Sequence, residues 1–211
     1  MIGLGRFGTS VATTLTAQGN PVVAVDSDPV IVARLANTFE RIVVADTTDE
    51  EALEQLDVSM FSRAVVAIGT DQESSILTTS LLAEANVEEI WAKALSPQHA
   101  RILRRVGAHR VVLPEQQMGA RVAHLVHGDI SDYYEVTAGW LIVKSRPPQE
   151  LVGVPLSEVA ERVMGGVSIV ALKPQHADDF RAATPTTRLT YGDEILVMGT
   201  PKAIERFTAR A

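Results

Sequence analysis

The chain has 211 residues, 46% of them apolar, a formal net charge of −7 and no cysteine. That length and apolar content suffice for one large domain or two small ones, each with its own core. The composition excludes disulfides, thiol catalysis and cysteine-ligated metals, and the acidic balance argues against broad binding to a nucleic-acid backbone. No apolar run reaches the roughly 18 to 20 residues of a membrane span, and no signal-type start is present, so a cytoplasmic chain that meets a membrane only through a partner is expected.

Gly3-Leu4-Gly5-Arg6-Phe7-Gly8 places three glycines at G-x-G-x-x-G spacing just before a helical pattern. The first glycine permits a tight turn out of a strand, the second lets a phosphate approach the backbone, and the third lets helix and strand pack closely. A helix N-terminus with unpaired N–H groups follows, which suits an anion. Arg6 adds a cation within reach of a phosphate. Only Met1 and Ile2 precede the loop, whereas such a loop hangs from a buried parallel strand, so further apolar residues upstream are expected.

After the loop, Val11 and Leu15 mark the apolar side of a helix that stops at Gly19-Asn20-Pro21. Residues 21–25 form a compact apolar run ending in Asp26-Ser27-Asp28-Pro29. An acid at this point, about 20 residues beyond the glycine loop, is where a ribose hydroxyl pair is held in a dinucleotide-type site, which favours Asp26. Asp28 or Ser27 reads as the cap of the next helix. Strand and helix signals then alternate: strands at 41–45, 63–68, 89–94 and 110–113, with helices at 49–56, from 72 to about 84, and from near 97 to 107. Six strands in this order predict an α/β fold with a doubly wound parallel sheet. The polar residues at the carboxyl ends of its strands, Asp26, Asp46, Thr70 and Lys93, are expected to converge on one rim, each with the alternative of a helix cap or solvated turn residue.

Pro114 to Gly119 continues from the last strand, and 121–127 reads as a helix running into Gly128-Asp129, where the domain boundary is placed. Beyond it the pattern changes. Residues 133–136 and 140–143 read as a hairpin around Thr137-Ala138-Gly139, followed by a helix at about 157–163, strands at 168–173, 179–183 and 194–198, and a closing helix at 202–209. This is a small α+β domain of about 80 residues, a size that favours self-association.

With these motifs in order, the chain resembles the cytoplasmic regulatory subunits of Trk/Ktr-type potassium uptake systems, built from an N-terminal and a C-terminal RCK (regulator of potassium conductance) domain. The resemblance rests on the glycine loop, Val25-Asp26, Ala45-Asp46-Thr47-Thr48-Asp49, Ala67-Ile68-Gly69-Thr70-Asp71, Ile90-Trp91-Ala92-Lys93-Ala94 and Val111-Val112-Leu113-Pro114-Glu115 through Gly119. It continues in Leu151-Val152-Gly153 and Tyr191-Gly192-Asp193-Glu194-Ile195-Leu196. It implies a Rossmann-like N-terminal domain with its crossover helix over 1–128 and a C-terminal RCK domain over 129–211. It further implies a nucleotide site for ATP or ADP, and in some members NAD(H), formed by Gly3, Gly5, Arg6, Phe7, Gly8, Asp26, Ser27, Asp46, Thr47, Gly69, Thr70, Lys93 and Glu115. Asp26 takes the ribose, Asp46 lies near the adenine, and Lys93 and Glu115 lie at the phosphate end.

A carboxylate beside a polyphosphate is repulsive, so Glu115 is expected to share a Mg²⁺ or Ca²⁺ ion with the nucleotide, its bland alternative being a helix cap. Some members bind cyclic di-AMP in the C-terminal domain, at positions matching Leu156, Arg162, Ser168 and Ile169, with Ser168 standing where asparagine is usual. The resemblance also implies dimers, an octameric ring and a membrane potassium channel or transporter as partner.

The alternative is an NAD-dependent oxidoreductase. Catalysis needs an acid, base or nucleophile aimed at a substrate, and none of the five histidines stands out: His99, His109 and His176 lack an acid partner at a recognisable spacing. His124 and His127 share a helical face, which suits either a metal or a surface. The C-terminal segment is too short and strand-rich for a substrate domain, so a regulatory role, not catalysis, is expected.

Overall fold

The computed structural model describes residues 1–126, 132–137, 139–159 and 164–210. The chain divides into two compact units, Met1–Gln116 and Gln117–Ala211.

The N-terminal unit contains α1 (Arg6–Ala17), β1 (Val23–Asp26), α2 (Pro29–Leu35), β2 (Arg41–Val44), α3 (Glu50–Gln55), β3 (Arg63–Val66), α4 (Gln72–Glu84), β4 (Glu89–Lys93), α5 (Pro97–Arg105) and β5 (Arg110–Val112). β1 pairs with β2, and β3-β4-β5 form a second group, all parallel. Ile2 bridges Val25 on one side and Val66 on the other. The Ile2 N–H donates to the Val65 carbonyl and the Gly3 N–H to that of Val25, both at 2.8 Å, while Val25 N–H donates to Met1 and Ala67 N–H to Ile2. The order is therefore β2, β1, residues 1–3, β3, β4, β5, the doubly wound order in which ligands sit at the reversal beside the first strand. Residues 1–3 occupy the place of the first strand in this order.

Apolar residues separate to the two faces. Ile2, Val25, Leu53, Val66, Leu82, Ile90 and Leu103 join one cluster, and Leu4, Ala12, Ala24 and Phe39 another. Alternation along β1, with Ala24 in one cluster and Val25 in the other, is what a strand buried on both faces requires. In α1 the deepest positions are Gly8 and Ala12, one turn apart, while Val11 and Leu15 are only half-buried, because the helix lies too close to the sheet for large side chains on that line.

Local chemistry sets the helix starts. Asp28, Asp49, Asp71 and Ser96 each accept a backbone N–H from the first turn of α2, α3, α4 and α5, and Pro29 and Pro97 sit where the missing N–H costs nothing. The helix α6 (Pro114–Val126) also begins on a proline, seven residues before the expected start at Arg121. Proline at the first helical position marks the entry, and Glu115 in the first turn complements the positive end of the dipole.

The C-terminal unit is a five-stranded antiparallel sheet of β6 (Asp132–Thr137), β7 (Trp140–Ser145), β8 (Val167–Lys173), β9 (Arg181–Ala182) and β10 (Glu194–Gly199), in the order β6-β7-β10-β8-β9, closed by α7 (Pro201–Thr208). Phe207, Ile204, Leu141, Val143, Ile195 and Val197 fill its core. β6 and β7 form the expected hairpin, with Ala138 outside the described residues. The strand expected at 179–183 is reduced to two paired residues. Of the helix expected at 157–163, a single 3₁₀ turn at Leu156–Glu158 is described, and 160–163 lie outside the described residues.

Candidate functional site

The glycine loop leaves the sheet at the reversal, and its three glycines are constrained in three different ways. Gly3 has φ +86° and packs against the Ala67 and Ile68 backbone; a side chain there would start 3.0 Å from both. A Cβ on Gly8 would overlap the Gly3 carbonyl oxygen. Around Gly5 there is open space, with nothing within 4 Å of a Cβ position. Gly5 is also the N-cap of α1, which receives no side-chain hydrogen bond, in contrast to the four helices that follow. An uncapped helix start over an open glycine is an anion-binding geometry.

Asp26, at the end of β1, faces this loop. Its Oδ2 accepts the Leu4 N–H at 2.6 Å and its Oδ1 accepts the Asp28 N–H at 2.9 Å. Two N–H donors leave acceptor capacity on both oxygens for a pair of hydroxyls. Asp28 is occupied as the cap of α2, through a 2.8 Å bond from Val30 N–H, and Ser27 is exposed between the two acids. Asp46, at the end of β2, is exposed and held by Thr48, whose hydroxyl (2.7 Å) and N–H (3.0 Å) both donate to Oδ1. These bonds keep its carboxyl below the usual range. Thr47 is buried, its hydroxyl 2.9 Å from that of Thr78 on α4. This link ties the turn after β2 to the helix that follows the Gly69-Thr70 loop.

At the opposite side of the loop, Lys93 ends β4. Its side chain is only 11% exposed, and its ammonium donates to Glu115 Oε1 at 2.6 Å, while Glu115 itself is 69% exposed. The same ammonium lies 5.7 Å from the Phe7 ring centroid and 3.2 Å from where a Gly69 side chain would begin. Lys93, with a further contribution from the Arg6 charge, holds the Glu115 carboxyl below its usual range. Arg6 is exposed at the first position of α1, and Thr70 is exposed beside Gly69. The structure thus gathers Gly3, Gly5, Gly8, Phe7, Asp26, Gly69, Lys93 and Glu115 around the loop. The Lys93–Glu115 pair joins residues 22 apart in sequence, and no spacing rule exposes it.

Three of the four C-terminal positions are among the described residues. Leu156 is half-buried in a 3₁₀ turn, Ser168 is exposed on β8, Ile169 packs into the core, and Arg162 lies outside the described residues. His127 lies there too, so the pairing of His124 with His127 falls outside the described residues. Among the described residues no group of three or more His, Asp or Glu is placed to hold a metal.

His99, in the first turn of α5, is 1% exposed. Its Nδ1 accepts the Leu95 N–H at 3.3 Å, which puts the proton on Nε2, and burial pushes its pKa below 6.5. A cationic form disfavoured in the fold means that stability is present above pH 6.5 and declines as the pH falls. Melting temperature is expected to drop between about pH 7 and about pH 5, and His99→Asn, which keeps an acceptor for Leu95, is expected to flatten that part of the profile.

Residues 1–114 match the TrkA-N domain and residues 141–211 the TrkA-C domain. The chain belongs to the TrkA family. Among its TrkA-family relatives, the Ktr system potassium uptake protein C of Bacillus subtilis is 34% identical over 212 residues, covering 100% of this chain and 95% of that protein. In structure it is similar to the GsuK RCK domain, with a TM-score of 0.67 at 17% identity, covering 99% of this chain and 46% of that one. The GsuK channel bound to NAD gives a TM-score of 0.52 at 22% identity over 99% of this chain and 37% of that one. GsuK bound to ADP gives 0.51 at 18% identity over 56% and 31%. This chain spans less than half the length of these GsuK chains, and at such identities the likeness shows the shared fold. No described helix is long and apolar enough to cross a membrane.

Proposed function

We propose that this chain is a nucleotide-sensing regulatory subunit that controls a membrane potassium channel or transporter, and does so without catalysing a reaction. The observation that carries the reading is the uncapped start of α1 over the open Gly5, flanked by the Asp26 carboxylate on one side and the buried Lys93 ammonium on the other. That arrangement suits a ribose at Asp26 and a di- or triphosphate along the loop. NAD and ADP in GsuK support an adenine nucleotide as the ligand class, and the Ktr relative supports potassium uptake as the process.

In this reading Gly3, Gly5, Arg6, Phe7, Gly8, Gly69, Thr70 and Lys93 hold the phosphates, while Asp26, Ser27, Asp46 and Thr47 hold the nucleoside. Among the described residues Glu115 is the one carboxylate placed at the phosphate end in this reading, so a Mg²⁺ or Ca²⁺ there takes its other ligands from phosphate oxygens and water. Cyclic di-AMP is a second candidate ligand, at the C-terminal unit near Leu156, Arg162, Ser168 and Ile169. Assembly into dimers and an octameric ring provides the two-state element, peripheral to the membrane through the channel partner. The N-terminal domain with its crossover helix is taken as 1–128 and the C-terminal domain as 129–211.

A ligand shifts such an assembly only by the difference in its affinity for the two states, and a tenfold bias needs about 1.4 kcal/mol. One charge-assisted contact to a terminal phosphate supplies that. ATP with Mg²⁺ favours the activating state and ADP the inactive one, through Arg6 and Glu115. Thermal shift with ATP, ADP, NADH, AMP and cyclic di-AMP, with and without Mg²⁺, followed by potassium flux with the partner reconstituted, tests this. Selective stabilisation by ATP or ADP with a change in flux is expected. Equal ATP and ADP affinity with unchanged flux, or steady NADH turnover with a small substrate, overturns it.

A further inference from the structure

Lys93 and Glu115 make an unequal pair. The lysine is buried and fixed between the glycine loop, through Phe7, and the loop after β3, through Gly69. The glutamate comes from the first turn of α6 and is largely in solvent. A buried ammonium needs an anion beside it, because an unpaired charge away from water is costly. An exposed carboxylate has no such need. The pairing therefore serves Lys93, and any anion of suitable geometry that reaches the same point serves it as well. Among the described residues the Lys93 ammonium has one acidic partner, so arrival of a second anion sets up a direct exchange.

On the reading of the loop as a nucleotide site, we infer that Glu115 is a built-in competitor for the phosphate end of the ligand, occupying Lys93 until a phosphate displaces it. A nucleoside does not contest Lys93 and is indifferent to Glu115. A phosphate-bearing ligand must break the 2.6 Å contact and then tolerate the displaced carboxylate nearby. Glu115 thus sets how much negative charge a ligand must bring, and its release frees the first turn of α6.

The test is calorimetric titration of the full chain in EDTA with ADP, ATP and adenosine. Glu115→Gln is expected to bind ADP and ATP about tenfold more tightly than the wild type, with adenosine affinity unchanged. Glu115→Asp, whose shorter reach weakens the contact while leaving a carboxylate near Lys93, covers the case in which the glutamine variant folds poorly, and gives an intermediate gain. In a Lys93→Met background the gain from Glu115→Gln is expected to shrink to what the relief of carboxylate–phosphate repulsion alone supplies. Equal or weaker ADP binding by both Glu115 variants, an equal gain for adenosine, or a gain undiminished by Lys93→Met overturns the inference while leaving the nucleotide site standing. Absence of ADP, ATP and adenosine binding in wild type and variants alike is the separate signature that the nucleotide reading itself has failed, and the inference falls with it.

Discussion

Gly5→Ala is expected to weaken binding of ATP and ADP by about tenfold or more while costing the fold less than about 1 kcal/mol, whereas Gly8→Ala is expected to cost the fold at least about 3 kcal/mol. The contrast follows from what surrounds each position. Gly5 has φ −64° and open space where a side chain would stand, so alanine is accommodated in the empty protein and obstructs only what approaches the uncapped helix start. Gly8 lies against the Gly3 carbonyl, so a methyl group there separates α1 from the strand segment it leaves. Thermal melting without ligand, paired with titration of ADP, separates the two effects. Parallel losses of affinity and stability in Gly5→Ala count against a ligand-facing role for that glycine.

The second large effect is expected at Phe207 on α7. Its side chain is 2% exposed, the largest of the fully buried side chains among the described residues, and it packs with Leu141, Val143, Ile195 and Val197. Phe207→Ala is expected to destabilise the C-terminal unit by about 3 to 5 kcal/mol, the sum of lost transfer free energy and the cavity left behind. Scanning calorimetry is expected to show a lowered transition for that unit, with the ADP-dependent shift of the N-terminal unit as the internal control. A loss of ADP binding equal to the loss of stability argues that the two units do not fold separately.

Much of the fold and of the loop was legible in the sequence because certain residue types encode geometry by themselves. Glycine spacing predicted the loop and its three roles, and of the two cap candidates Ser27 and Asp28 it is Asp28 that holds the start of α2 through its side-chain acceptor. Alternating strand and helix signals led to the parallel sheet. What stayed hidden depended on tertiary neighbours. The contact between Glu115, in the first turn of α6, and Lys93 at the end of β4 is one such case. The Leu4 amide on Asp26 and the Thr47–Thr78 contact join residues 22 and 31 positions apart, and neither has a local signature. The burial of His99 in the first turn of α5 likewise has no local signature. In the C-terminal unit the placing of β10 between β7 and β8 is a matter of long-range pairing that chain order does not reveal.

Residues 1–3 have a second consequence beyond carrying the loop. They are a narrow seam along which the β1-β2 half of the sheet is stitched to the β3-β4-β5 half, by hydrogen bonds to Val25 on one side and to Val65 and Ala67 on the other. The glycine loop, the nucleotide site of the proposed function, begins at the end of that seam. Whatever tightens the loop acts as a rivet through both halves, so occupancy of one small site is felt as resistance of the whole N-terminal unit to coming apart.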